Sequence, residues 1–433
     1  MICLICIFFG GIMVKISIII PVFNVEEYLR ECLDSVVNQS FKDVEIICIN
    51  DGSTDNSLNI LNEYASKDDR FKIISQKNFG QGHARKVGLD EAIGDYVLFL
   101  DSDDFLELNT FELLYDNILS NNSDVVLFKL IRYNHFTGDK LYNAPAFDID
   151  AMLDEDFNNF TFSYLDVKPH VMNRSFSPVC KFYKLDFLRK YDDFFFDSNI
   201  RYEDVPFHIQ VMLRAKISFC PFFLYNYRIS NMASSINSAT DEKVMDIFKI
   251  IDVVEILLKE EGFFECFERE FNKFKFDQIL NYILPSKSNT YFRESKNRLV
   301  DLNVNFSYHL FNKIQYDCVL KSSNFDDFIN NVIVELKNKL FSLNNEINKQ
   351  SRIMNSKDVK ISDMGRLIES KDVEISDMGR LIESKDVEIK KLSQELKKST
   401  NENKYLKNQL SEVFSSNSWR KTEFLRKIGR LFH

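Results

Sequence analysis

Four apolar runs at residues 15–22, 44–49, 71–75 and 96–100 alternate with segments of helical spacing, and this alternation constrains the fold more than any other feature of the chain. The first run, KISIIIPV, is nearly continuous in β-branched residues, the pattern of a strand buried on both faces of a parallel sheet. Val25, Tyr28, Leu29, Cys32, Leu33, Val36 and Val37 then recur at helical intervals, and Asn24 with Glu27 forms a capping-box pattern at the helix start. Helical segments around Leu58, Leu61 and Tyr64 and over residues 84–92 complete the alternation. Such repetition specifies right-handed crossovers and an α/β domain with a mainly parallel sheet flanked by helices.

In these sheets ligands sit beyond the carboxyl ends of the strands. The chain places polar clusters there, at residues 24–27, 51–55 and 101–104. No GxGxxG follows the first strand and no GxxxxGK[ST] occurs, which disfavours a dinucleotide-dependent dehydrogenase and a P-loop kinase. Asp101, Asp103 and Asp104 crowd carboxylates that repel unless neutralised. A hard divalent ion, Mg2+ or Mn2+, would satisfy them and bridge to a diphosphate. The plainer alternative is an acidic turn before a helix near Asn109.

Charge favours a small anionic ligand over a polyanion. The 433 residues carry 55 Lys+Arg and 65 Asp+Glu, a formal charge of −10. Residues 1–330 hold 34 basic and 50 acidic side chains, whereas 331–433 hold 21 and 15. An acidic body without clustered Lys and Arg excludes a general nucleic-acid binder. The eight Cys show no metal spacing beyond Cys3 and Cys6, and that usage fits a reducing cytoplasm.

With these blocks in place, residues 15–106 resemble the family-2 glycosyltransferases of the GT-A fold. The resemblance rests on four ordered blocks: Ile20-Pro21-Val22-Phe23-Asn24; Asn50-Asp51-Gly52-Ser53 with Asp55; Gly80, Ala84-Arg85, Gly88-Leu89, Ala92 and Gly94-Asp95-Tyr96; and Phe99-Leu100-Asp101-Ser102-Asp103-Asp104. It implies a nucleotide-diphosphate sugar donor, a UDP-sugar foremost, and a divalent metal. By carry-over, Pro21, Val22, Phe23 and Asn24, with Glu26 nearby, line the nucleoside pocket, and Asp51 bonds the base. Gly80 and Arg85 approach the nucleotide, and Asp101-Ser102-Asp103 is the DxD segment. In that segment Asp101 serves ribose or metal, and Asp103 the metal. Lys86 departs from the family, where Asn is usual.

Further along, Glu203-Asp204 resembles the block that supplies the family's catalytic base, and Tyr225-Asn226-Tyr227-Arg228 its Tyr-x-Tyr-Arg segment. A base must take the acceptor hydroxyl's proton during attack on the anomeric carbon. One base and one metal suffice for a single displacement, so inversion is expected. Read without the family, Glu203-Asp204 is an acid pair at a helix N-terminus. Arg228 either neutralises the diphosphate or makes a surface ion pair. His83 is the histidine expected nearest substrate, and His208 is expected to pack.

Outside residues 14–240, the expected catalytic domain, residues 1–13 form an apolar leader or precede the true start at Met13. Residues 241–330 read as a helical appendix rich in Phe and Leu. Units of fourteen residues begin at 356, 370 and 384, and apolar a and d positions continue across 331–415, the pattern of a coiled coil and hence of a homo-oligomer; a solvated single helix is the alternative. The basic, Trp419-bearing tail at 416–433 suits an anionic membrane surface or a partner protein. The expected protein is a cytoplasmic, metal-dependent, inverting glycosyltransferase at the inner face of the cell membrane. It would act on a glycan or lipid-linked acceptor in surface polysaccharide synthesis. Two rivals are a non-catalytic nucleotide-sugar-binding scaffold and a nucleotidyltransferase, the latter lacking its Gly-rich basic loop after the first strand.

Overall fold

The computed structural model describes residues 14–142, 161–173, 176–191, 200–229, 244–304 and 310–354, with residues 384 and 391. It comprises two compact units, Met1–Lys337 and Asn338–His433. In the first, strands β1 (Ile16–Val22), β2 (Val44–Asp51), β3 (Phe71–Gln76) and β4 (Tyr96–Phe99) lie parallel in the order β3-β2-β1-β4. All seven residues of β1 and all eight of β2 are buried, which is why no polar alternation shows there. Ile16, Ile18, Ile19, Ile20 and Val22 are wholly buried, each contributing roughly 2 kcal/mol.

The crossovers are α1 (Glu26–Val37), α2 (Ser57–Ala65) and α3 (Gln81–Glu91). α1 buries Tyr28, Leu29, Cys32, Leu33 and Val36, as its spacing requires. α3 lies tight against β1 because Gly88 has no side chain; a Cβ there would fall 2.4 Å from Ile19 Cγ2.

Past β4 the sheet becomes mixed. After β5 (Phe105–Leu106) and α4 (Thr110–Asn121) come β6 (Val125–Tyr133), β7 (Lys140–Leu141), β8 (Lys181–Lys184), α5 (Leu185–Lys190), α6 (Asp204–Arg214) and β9 (Ile217–Arg228). β8 runs antiparallel between β4 and β6, β9 is parallel to β6, and β5 pairs antiparallel with β9. Six of the nine strands among the described residues, β1 to β4, β6 and β9, point the same way, so the sheet is mainly parallel.

The chain steps from β1 through β2 to β3, then returns to β1's other side with β4. This switch point opens a crevice at the carboxyl ends of β1 and β4. Helices α7 (Asp246–Glu260), α8 (Phe264–Ser286), α9 (Asn289–Val300) and α10 (Leu310–Lys321) follow in the same unit. Much of the Phe content goes into their packing, with Tyr164 on Phe263 at 5.1 Å and Phe176 on Phe274 at 5.7 Å. The last described helix, α11 (Phe325–Met354), covers the start of the region read as a coiled coil. Residues 1–13, the repeats of 356–397 apart from residues 384 and 391, and the tail at 416–433 lie outside the described residues. No helix among the described residues is long and apolar enough to cross a membrane.

Candidate active site

At the end of β1, Asn24 takes a left-handed conformation with φ 48. The expected capping box does not form: Val25 is the N-cap residue, and the Asn24 Oδ1 instead accepts from the Thr54 N–H at 2.7 Å. β1 and β2 end side by side, with Val22 opposite Asn50, so the two following helix starts find partners across the loops. Asp55 accepts the Glu26 N–H at 3.0 Å, and Glu26 accepts the Asn56 N–H at 2.7 Å. Each helix's orphan donor is thus capped by the other's acid. Pro21 and Val22 are buried in β1, whereas Phe23 is exposed.

Asp51, expected to bond a base, is buried, and both oxygens are engaged by the loop after β3. Oδ1 accepts from Gln76 Nε2 at 2.7 Å and the Phe79 N–H at 2.9 Å, and Oδ2 from the Gly80 N–H at 2.8 Å. Gly52 permits this closeness, with φ +76 and Asn78 N only 2.8 Å from where a Cβ would sit. The loop leaves Phe79 exposed, its ring 5.0 Å from that of His83. Lys86, the departure from the family, pairs with Asp90 one turn on.

Pinned in this way, the loop delivers Gln81 and Arg85, one helical turn apart, to the end of β4. Asp101 Oδ1 accepts from Gln81 Nε2 at 2.8 Å and Arg85 Nη2 at 2.8 Å, and Arg85 Nη1 lies 3.4 Å from Glu203 Oε1. Burial works against the Arg85 charge, yet Asp101 and Glu203 more than offset it and its pKa is raised. The structure therefore joins the DxD segment, the loop and the Glu-Asp block, which lie far apart in sequence.

The rest of that segment is braced from behind. Ser102 is buried. Asp104, also buried, accepts from Tyr225 Oη at 2.7 Å and the Arg228 N–H at 2.8 Å, and the Tyr225 hydroxyl accepts the Asp101 N–H at 3.2 Å. Burial first, then Asp103 and Asp101, push Asp104 well above the usual carboxylate range. Arg228 is no surface residue: its side chain is 0% exposed. Its Nε donates to the Asp103 carbonyl at 2.6 Å, Nη2 to Glu31 at 2.7 Å, and Nη1 lies 2.6 Å from His135 Nδ1. Tyr28, Tyr133 and Phe105 hold their rings 4.7, 5.3 and 5.5 Å from its guanidinium carbon. In this structure Arg228 fixes the turn that carries Asp103.

On the opposite wall, Tyr202 adopts φ 66, a left-handed conformation costly for an aromatic residue, and turns the chain into α6. Glu203 is the helix N-cap and Asp204 its first residue. Burial, with Arg85 opposing and Asp204 adding, pushes Glu203 up to about 7, and burial likewise raises Asp204 against the pull of Arg85 and Lys181. Lys181, at the start of β8, is buried, donates to the Ser177 carbonyl at 2.5 Å and is lowered to about 8 by burial. His208 packs as expected, buried, with Nε2 3.0 Å from the Val171 carbonyl. Gln81, Lys181, Glu31 and His135 join the site without being expected there, and Tyr225, expected only as part of the Tyr-x-Tyr-Arg segment, gains its own role on Asp101 and Asp104. Of the first four, only Gln81 carries a sequence signal, its spacing of four from Arg85.

Among the described residues no three His, Cys, Asp or Glu side chains gather into a metal-binding group. What the turn offers is two partly exposed carboxylates, Asp101 and Asp103. That set suits an ion completed by ligand oxygens and water better than one caged by protein.

The model for the family described as "Glycosyl transferase family 2" matches residues 17–191. A cholesterol galactosyltransferase from Borreliella burgdorferi is 35% identical over 271 residues, 60% of this chain and 72% of the relative. The chain belongs to glycosyl transferase family 2. It is accordingly a glycosyltransferase. Glycosyltransferase GlyA from Streptococcus pneumoniae is 34% identical over 216 residues, half of this chain, but the match spans only 30% of GlyA's length. Among solved structures, residues 1–349 of TarS from S. aureus align with a TM-score of 0.50 at 21% identity, covering 75% of this chain and 91% of that one. That likeness shows the fold, and it is GT-A-like, as the sequence implied.

Proposed function

We propose that this family member transfers a sugar, with inversion, from a nucleotide-diphosphate donor, a UDP-sugar foremost, to a hydroxyl of a glycan or lipid-linked acceptor in cell-surface polysaccharide synthesis. The carrying observation is the line Asp101–Arg85–Glu203, which sets a donor-side carboxylate turn and an acidic helix start on one crevice. A relative named for galactosyl transfer to cholesterol supports a lipid hydroxyl as acceptor. The enzyme works in the cytoplasm at the inner membrane face and self-associates through its heptad-patterned region. Its basic tail meets the membrane.

Asp101 and Asp103 would hold Mg2+ or Mn2+, which when bound supplies Lewis-acid stabilisation of charge on the departing diphosphate. Phe23 and Phe79 present exposed aromatic rings at the ends of β1 and β3, suited to flank a base. Asp204, its proton affinity raised by burial, takes the acceptor hydroxyl's proton. The freed oxygen pair forms the new bond to the anomeric carbon as the carbon–oxygen bond to diphosphate breaks on the opposite face.

Asp204→Asn should lower transfer by about 10²–10⁴-fold while Mn2+-dependent donor binding persists. The assay is release of nucleoside diphosphate, as opposed to pyrophosphate, from a nucleotide-sugar panel with membrane extract present. Full activity in Asp204→Asn removes the base assignment. A wild-type protein that leaves every donor intact favours the scaffold.

A further inference from the structure

We infer that Arg85 is a positioning residue that sets the separation between the donor-side carboxylate Asp101 and the acceptor-side pair Glu203-Asp204. The roles of the two sides rest on the proposed function; the bridge itself rests on geometry. Arg85 Nη2 meets Asp101 at 2.8 Å and Nη1 meets Glu203 at 3.4 Å, from a side chain only 4% exposed. One nitrogen goes to each carboxylate, and Nε has no acceptor among the described residues. A guanidinium bound side-on to a single acid would use two nitrogens on it. Here the planar fork spans two acids, and its rigid width becomes the spacing between them.

The mount is rigid as well. Three residues beyond Arg85, Gly88 brings α3 so near β1 that a Cβ would touch Ile19, and the helix start is held by Asp51 through Phe79 and Gly80. The Glu203 side of the bridge lies after the left-handed Tyr202, in a turn whose own backbone is strained. A fixed cation therefore meets an acid on a strained turn. It sets where that turn, and Asp204 with it, comes to rest.

A lysine retains the charge but reaches one carboxylate at a time. Arg85→Lys should bind UDP with Mn2+ within about threefold of wild type, yet lose about 100-fold in kcat, the expected effect of misplacing a reacting group by about 1 Å. Unchanged kcat overturns the inference. So does a raised donor KM at unchanged kcat, which would make Arg85 a nucleotide contact. A second measurement needs no activity: unfolding midpoints of Arg85→Gln, Glu203→Gln and the double variant. The loss from Arg85→Gln should be clearly smaller when Glu203 is already Gln, and additive changes in the midpoint overturn the bridge. If wild type transfers no sugar while the midpoints are non-additive, the proposed function falls and the bridge stands.

Discussion

Replacing Glu203 by Gln should make the protein more stable at pH 8, although it removes one end of an ion pair. Burial is the leading reason that Glu203 is held up to about 7 against an ordinary 4.5. A carboxyl that binds its proton more tightly in the fold than in the unfolded chain stabilises the fold below about pH 4.5. That contribution disappears as the pH climbs through about 7, because the fold must then carry the buried charge. At about 1.4 kcal/mol per pH unit of difference, ionising Glu203 costs the fold about 3 kcal/mol. Its side chain is 15% exposed, so little solvent screening intervenes. Gln has nearly the same shape and never ionises.

The opposing effect is an orphaned Arg85, since breaking a buried pair from one side can cost about 3–5 kcal/mol. Arg85 is not orphaned here, because Asp101 still holds it at 2.8 Å. The two proteins should therefore melt together near pH 4.5. At pH 8 the variant should melt roughly 6 °C higher, following about 2 °C per kcal/mol for a unit of this size. Circular dichroism of the full chain across that range is the assay. A variant that melts lower than wild type at pH 8 would refute the reasoning, by showing that attraction to Arg85 outweighs burial.

Tyr225→Phe removes both the donor to Asp104 and the acceptor for the Asp101 N–H, and should cost about 2–3 kcal/mol; an unchanged melting temperature would count against the brace. Gly94→Ala would drive a Cβ to 2.8 Å from Ser17 N and 2.9 Å from Ile16 C, both backbone, whereas at Gly88 it meets the Ile19 side chain. Overpacking costs about 1–3 kcal/mol where side chains can yield, so the Gly94 variant should be the less stable in denaturant, and the reverse order would contradict the packing argument. Asp103→Asn should abolish the dependence of donor binding on Mn2+, measured by calorimetric titration with and without chelator. Because Asp103 also raises the burdened Asp104, the same variant should melt no lower than wild type.

Much of the fold was legible because burial on both faces leaves a direct signature in sequence. β1 was read at 15–22 and found at Ile16–Val22, and β4 was read at 96–100 and found at Tyr96–Phe99. What escaped was pairing that depends on neighbours in space. Asn24 looks like a cap because it precedes a helix, but β1 and β2 end side by side and its oxygen goes to Thr54. Arg228 reads equally as a surface cation or a ligand contact. Only the convergence of α1, the β4 turn and the end of β6 around it shows a buried guanidinium bracing Asp103.

By itself, then, the sequence determined the α/β class, the carboxyl-end placement of the acids at 101–104, and the family, since each follows from local periodicity or ordered motifs. Tertiary structure alone decided that Asp101 and Glu203 are joined through Arg85, that Asp104 is buried against Tyr225, and that β8 brings Lys181 to the end of β4. The reason is physical. A strand's burial is written in its own residues, but whether a charge is spent, shared or free depends on which distant segment folding places within about 3 Å of it.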